Sequence, residues 1–186
     1  MKSGFWNLPN SLTVARMVLI PVVVWLMLDS PTPLECTLAG AIFVIAMVTD
    51  IIDGYLARKW DLVTPVGAYL DPLADKLMVA TALIMLIPLG WAPAWLVLLL
   101  ICREMAVTGL RGIASQEGLV LSASALGKCK TSFQATSLTM LLLHYPLFGI
   151  DLHSTGTVLL WIATGFSLIS ALEYFILFYK ESRLTQ

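Results

Sequence analysis

The sequence predicts an all-α integral membrane protein with six transmembrane helices and both termini on the cytoplasmic side. Three observations lead there. Of 186 residues, 59% are hydrophobic and only 12% charged, against about a quarter charged in a soluble globular domain; the mean hydropathy is +0.87. Six apolar runs recur between breakers, and six crossings of about 20 residues each use about 120 residues. That leaves short connections and tails, so one domain fills residues 1–186. The third observation is the placement of the cations.

The first run, from about Pro9 to Leu28, is too long for a signal-peptide core, carries Arg16 and lacks a small-residue cleavage site, so it is expected to stay attached as a helix. The second runs from Leu34 to Leu56, after the connection Asp29 to Glu35. The third spans Gly67 to Leu89, and the turn around Pro88 to Pro93 separates it from the fourth, Ala92 to Ile113. The fifth spans Gly127 to His144 and the sixth Thr155 to Phe178, divided by Tyr145 to Ser154. The three outer connections contain no Lys or Arg, whereas Lys2, Arg58, Lys59, Lys76, Arg111, Lys128, Lys130, Lys180 and Arg183 all fall on the other side. The positive-inside rule makes that side cytoplasmic. Trp6, Trp25, Trp60, Trp91 and Trp95 lie near span ends, as interfacial anchors do.

A net charge of −1, from 11 basic and 12 acidic residues, excludes a nucleic-acid binder, which needs a basic surface. Cys36, Cys102 and Cys129 are odd in number and lack C-x-x-C spacing, so no disulfide or metal site is expected of them. His144 and His153 fall on the outer side and are expected to be structural or interfacial.

Four carboxylates fall within 26 residues, in Asp50-Ile-Ile-Asp53-Gly54-Tyr-Leu-Ala57-Arg58, eight residues, Gly67-Ala-Tyr-Leu-Asp71-Pro-Leu-Ala-Asp75. On a helix Asp50, Asp53 and Ala57 share a face, flanked by Gly54 and Arg58, and Asp71 and Asp75 share a face of the next helix. A short connection lets the two faces gather four acids in one pocket. A membrane carboxylate costs roughly 3 kcal/mol at a helix centre, so something must offset the cluster. Four negative charges match two divalent cations, and an all-oxygen ligand set favours Mg²⁺, or Mn²⁺, over zinc. Two such ions ~4 Å apart suit phosphoryl transfer. Gly54 and Ala57 let a bulky ligand approach the backbone, and Arg58 is placed to meet phosphate oxygens with its planar fork.

The run D-x-x-D-G-x-x-A-R, eight residues, G-x-x-x-D-x-x-x-D resembles the complete signature of the CDP-alcohol phosphotransferase family, whose members exchange the CMP of a CDP-linked lipid or alcohol for an acceptor hydroxyl. Every signature position matches. The resemblance implies that Asp50 and Asp71 bridge two metals, that Asp53 completes the first site, and that Asp75 contributes to the second and is the catalytic base. It also implies that Gly54, Ala57, Arg58, Thr64 and Gly67 hold the CDP-lipid, and that the protein is a homodimer.

The acceptor is left open by the signature. Arg103, beside Glu104 inside a predicted span, Arg111, Lys128 and Lys130 supply cations for an acceptor phosphate; the alternative for the lysines and Arg111 is topology alone. R-E-x-x-x-T-x-L-R from Arg103 to Arg111, G-K-x-K-T from Gly127 to Thr131, and P-N-x-L-T-x-x-R from Pro9 to Arg16 resemble the branch of the family that uses sn-glycerol 3-phosphate. Asn10, Thr13 and Arg16 are placed to line the cytidine side, with a helix cap as the other role for Asn10 and Thr13. The expectation is a multi-pass enzyme of the inner membrane, working at its cytoplasmic face on CDP-diacylglycerol and sn-glycerol 3-phosphate with Mg²⁺. Inositol phosphate or phosphatidylglycerol as acceptor, and a divalent-cation channel or carrier, are the alternatives.

Overall fold

The computed structural model describes residues 8–59, 65–117 and 125–184. They form six helices: α1 Leu8–Leu26, α2 Pro33–Lys59, α3 Pro65–Met85, α4 Ala94–Gln116, α5 Ala125–Leu143 and α6 Leu152–Leu184. Each coincides with one of the six apolar runs, and no strand occurs among the described residues. Two helices, over Pro33–Ile52 and Leu152–Glu181, are long and apolar enough by themselves to cross a membrane.

Local chemistry sets the helix ends. After α1 the chain turns through Asp29 and Ser30, both at positive φ. Thr32 and Glu35 then form a capping box. The Thr32 N–H and hydroxyl each donate to Glu35 Oε2 at 2.7 Å, the Glu35 N–H donates to Thr32 Oγ1 at 3.4 Å, and Pro33 occupies the first helical position, where a missing N–H costs nothing. Between α5 and α6, Phe148 and Gly149 take positive φ and Leu147 and Ile150 exchange backbone hydrogen bonds of 3.1 and 3.0 Å, a tight hairpin reversal of the kind that needs two left-handed residues. Asp151 then caps α6, accepting from the N–H groups of His153 at 3.1 Å and Ser154 at 3.2 Å. With that cap α6 begins three residues earlier than the apolar run, at Leu152, and it continues past Phe178 to Leu184.

One core unites all six helices: Val23, Phe43, Met78, Leu96, Leu138 and Leu160 are each no more than 2% exposed. Small residues let α5 approach its neighbours. A Cβ on Gly156 would lie 3.0 Å from Leu141 Cγ and 3.2 Å from the Leu141 backbone nitrogen, and one on Gly40 would lie 2.7 Å from Leu143 Cδ2. Ser137, fully buried, donates its hydroxyl to the Gly156 carbonyl at 2.7 Å. A second cluster, Val107, Leu110, Ala114, Ala171 and Tyr174, joins α4 to α6.

Far from Asp50 and Asp71 along the helices, the His144 ring stacks on Trp91 at 3.6 Å between centroids and meets His153 edge-on at 4.8 Å. Both histidines therefore pack, as expected of them. Trp91 packs with them, while Trp25 and Trp95 are largely exposed; Trp6 and Trp60 lie outside the described residues. The cysteines are free thiols.

Candidate active site

Helix α1 organises the acidic cluster. It packs along both α2 and α3, whereas those two touch each other along only a short stretch. Its polar residues Asn10, Thr13 and Arg16 recur every third position, which keeps them on nearly one face, and all three are buried. The Thr13 hydroxyl donates to Asp71 Oδ1. The Arg16 guanidinium donates to Asp50 Oδ1 at 2.6 Å, with Arg16 2% and Asp50 33% exposed. Two carboxylates from different helices are thus held by one stripe of α1. Thr13 is not confined to capping: it lies a full turn inside the helix with its hydroxyl committed to α3.

Asp75, one turn beyond Asp71, lines a cavity of about 370 Å³ between α3, α4 and α5. Asp75, Lys76, Glu104, Thr108 and Lys130 make its polar end, and residues such as Leu83, Leu100 and Ile101 make an apolar remainder. The charges of Asp50, Arg16, Glu104 and Lys130 all act on Asp75, so the cavity and the α1 stripe belong to one electrostatic neighbourhood. Lys130 reaches across from α5 to donate to Glu104 Oε2. Arg103 donates Nε to the Ser167 carbonyl at 2.8 Å, one terminal nitrogen to the Ser170 hydroxyl and the other to Glu104 at 3.2 Å. A continuous chain therefore runs from α6 through Arg103 and Glu104 to Lys130.

Of the expected phosphate-binding cations, Lys130 faces the cavity, while Arg103 is committed to α6 and Glu104. Arg111 and Lys128 are exposed and are not among the described residues lining the cavity. Gly67 is buried on the first turn of α3. The backbones of Asp53, Gly54, Ala57 and Arg58 continue α2, but their side chains lie outside the described residues, as does Thr64 altogether. Among the described residues no three His, Cys, Asp or Glu side chains converge as a complete metal site. The described carboxylates of the signature, Asp50, Asp71 and Asp75, offer hard oxygen donors, whose chemistry suits Mg²⁺ or Mn²⁺ and not a thiophilic metal.

Sequence reasoning passed over Glu104 except as Arg103's neighbour, and it read Lys76 only as a topological charge. Ser167 and Ser170 were missed entirely. For Ser170 a signal was available, since a buried hydroxyl in an apolar helix needs a partner; Ser167 takes part through its backbone carbonyl, which no side-chain pattern announces.

The sequence profile of CDP-alcohol phosphatidyltransferases matches residues 6–169. The CDP-diacylglycerol–glycerol-3-phosphate 3-phosphatidyltransferase of Bacillus subtilis (strain 168) is 46% identical, over 91% of this chain and 94% of that one. A protein of the same description from Rickettsia bellii is 40% identical over 91% and 93%, and a probable phosphatidylglycerophosphate synthase of Mycobacterium tuberculosis is 38% identical over 90% and 79%. With a signature of carboxylates gathered on α2 and α3, a cavity opening at the last of them and this likeness along nearly its whole length, the chain belongs to the CDP-alcohol phosphatidyltransferase family.

Proposed function

We propose that the chain is a CDP-diacylglycerol:glycerol-3-phosphate 3-phosphatidyltransferase, which forms phosphatidylglycerophosphate and CMP in phospholipid synthesis. The observation that carries this is the position of Asp75, where the acidic cluster meets a cavity that is polar at one end and apolar at the other. A reaction between a lipid-linked diphosphate and a water-soluble alcohol needs such a meeting point. The names of the full-length relatives support the acceptor assignment.

In this reading the acceptor enters the polar end with its hydroxyl beside Asp75. The Asp75 carboxylate takes the hydroxyl proton as the oxygen attacks the lipid-side phosphorus of CDP-diacylglycerol. A new P–O bond forms to the acceptor, the P–O bond to CMP breaks, and CMP leaves with the electron pair. Asp50, Asp53, Asp71 and Asp75 would hold two Mg²⁺, or Mn²⁺, whose chemistry is to neutralise charge on the diphosphate oxygens. Thr13 and Arg16 orient Asp71 and Asp50 from α1. Gly54, Ala57, Arg58, Thr64 and Gly67, together with Asn10 and Thr13, take the cytidine diphosphate side.

Six crossings of the inner membrane, with both termini and the active site at the cytoplasmic face, are part of this proposal; the cation placement supports the orientation, and large apolar side chains left on the outside, among them Ile51 at 72%, Met105 at 71% and Ile176 at 66% exposure, support a lipid surrounding. Lipid tolerates such a surface; water does not. A homodimer in that membrane is part of the reading, on family grounds. The test is CMP release by the purified protein with Mg²⁺, CDP-diacylglycerol and sn-glycerol 3-phosphate, with inositol phosphate and phosphatidylglycerol as competitors. Asp75→Asn is expected to lower turnover by at least about 100-fold; near-normal turnover in that variant would remove Asp75 as the base.

A further inference from the structure

The cavity beside Asp75 is surrounded by cations, yet most of them are engaged. Arg16 is paired with Asp50 and Lys130 with Glu104. Arg103 spends Nε and both terminal nitrogens on Ser167, Ser170 and Glu104. Lys76 differs from all three. It follows Asp75 directly on α3 and lines the same cavity, and its ammonium donates to the neutral hydroxyl of Thr108 at 2.8 Å. That hydroxyl in turn donates to the Glu104 backbone carbonyl at 2.7 Å, so the arrangement is held from α4. Among the described residues no carboxylate lies within ion-pair distance of Lys76. Two of its three N–H donors remain for a ligand, and its charge acts on the Glu104 carboxylate only from beyond contact.

We infer that Lys76 selects the acceptor: its ammonium binds the phosphate of a small phosphorylated polyol whose hydroxyl lies at Asp75. The stems support this pairing. Asp75 carries its carboxylate on one carbon and Lys76 its ammonium on a flexible four-carbon stem, so neighbouring backbone positions present a base and a cation separated along the cavity wall. A short polyol phosphate has its hydroxyl and phosphate at opposite ends in the same way. Lysine binds phosphate as a point charge, and a phosphomonoester carries close to two negative charges near neutral pH. An unphosphorylated polyol gains nothing from Lys76, and the selectivity comes from that difference.

This inference deepens the function proposed above and rests on it for the identity of the acceptor. The experiment uses the full chain in lipid nanodiscs, with sn-glycerol 3-phosphate titrated calorimetrically and its KM measured against that of CDP-diacylglycerol. A charged hydrogen bond to phosphate predicts that Lys76→Met weakens both the affinity and the KM for sn-glycerol 3-phosphate by about 10- to 100-fold, without moving the KM for CDP-diacylglycerol. Lys76→Arg recovers most of the loss. Thr108→Val removes the tether and keeps the charge, and it costs far less. Should Lys76→Met not fold, Lys76→Gln measures the same loss of charge with a polar side chain in place. Wild-type affinity in the charge-removing variant overturns the inference. So does an equal loss in Thr108→Val, or a parallel rise in both KM values, since those mark a packing role. If the wild type binds sn-glycerol 3-phosphate through Lys76 but releases no CMP, the proposed reaction falls and the Lys76 site stands.

Discussion

Replacing Arg16 by Met should loosen the attachment of α1 to α2 in a way that depends on Asp50. The guanidinium is 2% exposed and donates at 2.6 Å to a carboxylate that is 33% exposed. Charge centres ~4 Å apart attract by about 4 kcal/mol at an effective dielectric of about 20. Partial exposure of Asp50 and the desolvation of both groups reduce this, so removing Arg16 alone should cost about 2–3 kcal/mol, mainly because Asp50 loses its counter-charge. Asp50→Asn should cost less, about 1–2 kcal/mol, since the amide still accepts a hydrogen bond. The double variant should then be more stable than the sum of the two losses predicts, by about 1–2 kcal/mol. Equilibrium unfolding of the purified protein in mixed micelles, with chelator present so that no divalent cation competes for Asp50, measures all four corners of the cycle. Additivity within about 0.5 kcal/mol would mean instead that the 2.6 Å contact carries no coupling of its own.

Gly156→Val should destabilise the α5–α6 pair by about 1–3 kcal/mol, because the Cβ meets Leu141 at 3.0 Å and its backbone nitrogen at 3.2 Å; a lowered melting temperature checks it. Ser170→Ala should leave Arg103 with one donor unpaired and raise the KM for the acceptor more than that for the CDP-lipid, as steady-state kinetics would show. Asp151 makes a pH-dependent cap. Hydrogen bonds from the Ser154 side chain and backbone hold its carboxyl below the usual carboxylate range. A depressed folded-state value stabilises above the ordinary value, about 3.9, and the gain is lost as pH falls through the folded one. Asp151→Ala should therefore be less stable than wild type at neutral pH, and the gap should close in strong acid. Thermal unfolding of both proteins across that range is the measurement.

The number and approximate limits of the helices were legible in the sequence because each apolar run is bounded by groups whose chemistry is local. The T-P-x-E box from Thr32 to Glu35 and the Asp151 cap are decided within three residues. Among the described residues simple hydropathy picks out α2 and α6, while α4 carries Arg103 and Glu104 and α5 carries Lys128 and Lys130. The fold turns Arg103 and Lys130 inward, to 8% and 9% exposure, and pairs them with Glu104. The Asp signature was likewise legible, since helical spacing alone puts Asp71 and Asp75 on one face.

Composition and short-range periodicity are enough to specify six helices in an apolar chain and to set its carboxylates at helical spacing, because both act over a few residues. Which cation meets which anion was decided only by tertiary structure. Thr13 finds Asp71 58 residues away, Arg16 finds Asp50 34 away, and Arg103 finds Ser167 64 away. Several basic residues compete for the same few acids, and spacing cannot rank partners on different helices. Packing ranks them, by spending Arg16, Arg103 and Lys130 on fixed neighbours and leaving the charge of Lys76 facing the cavity beside Asp75.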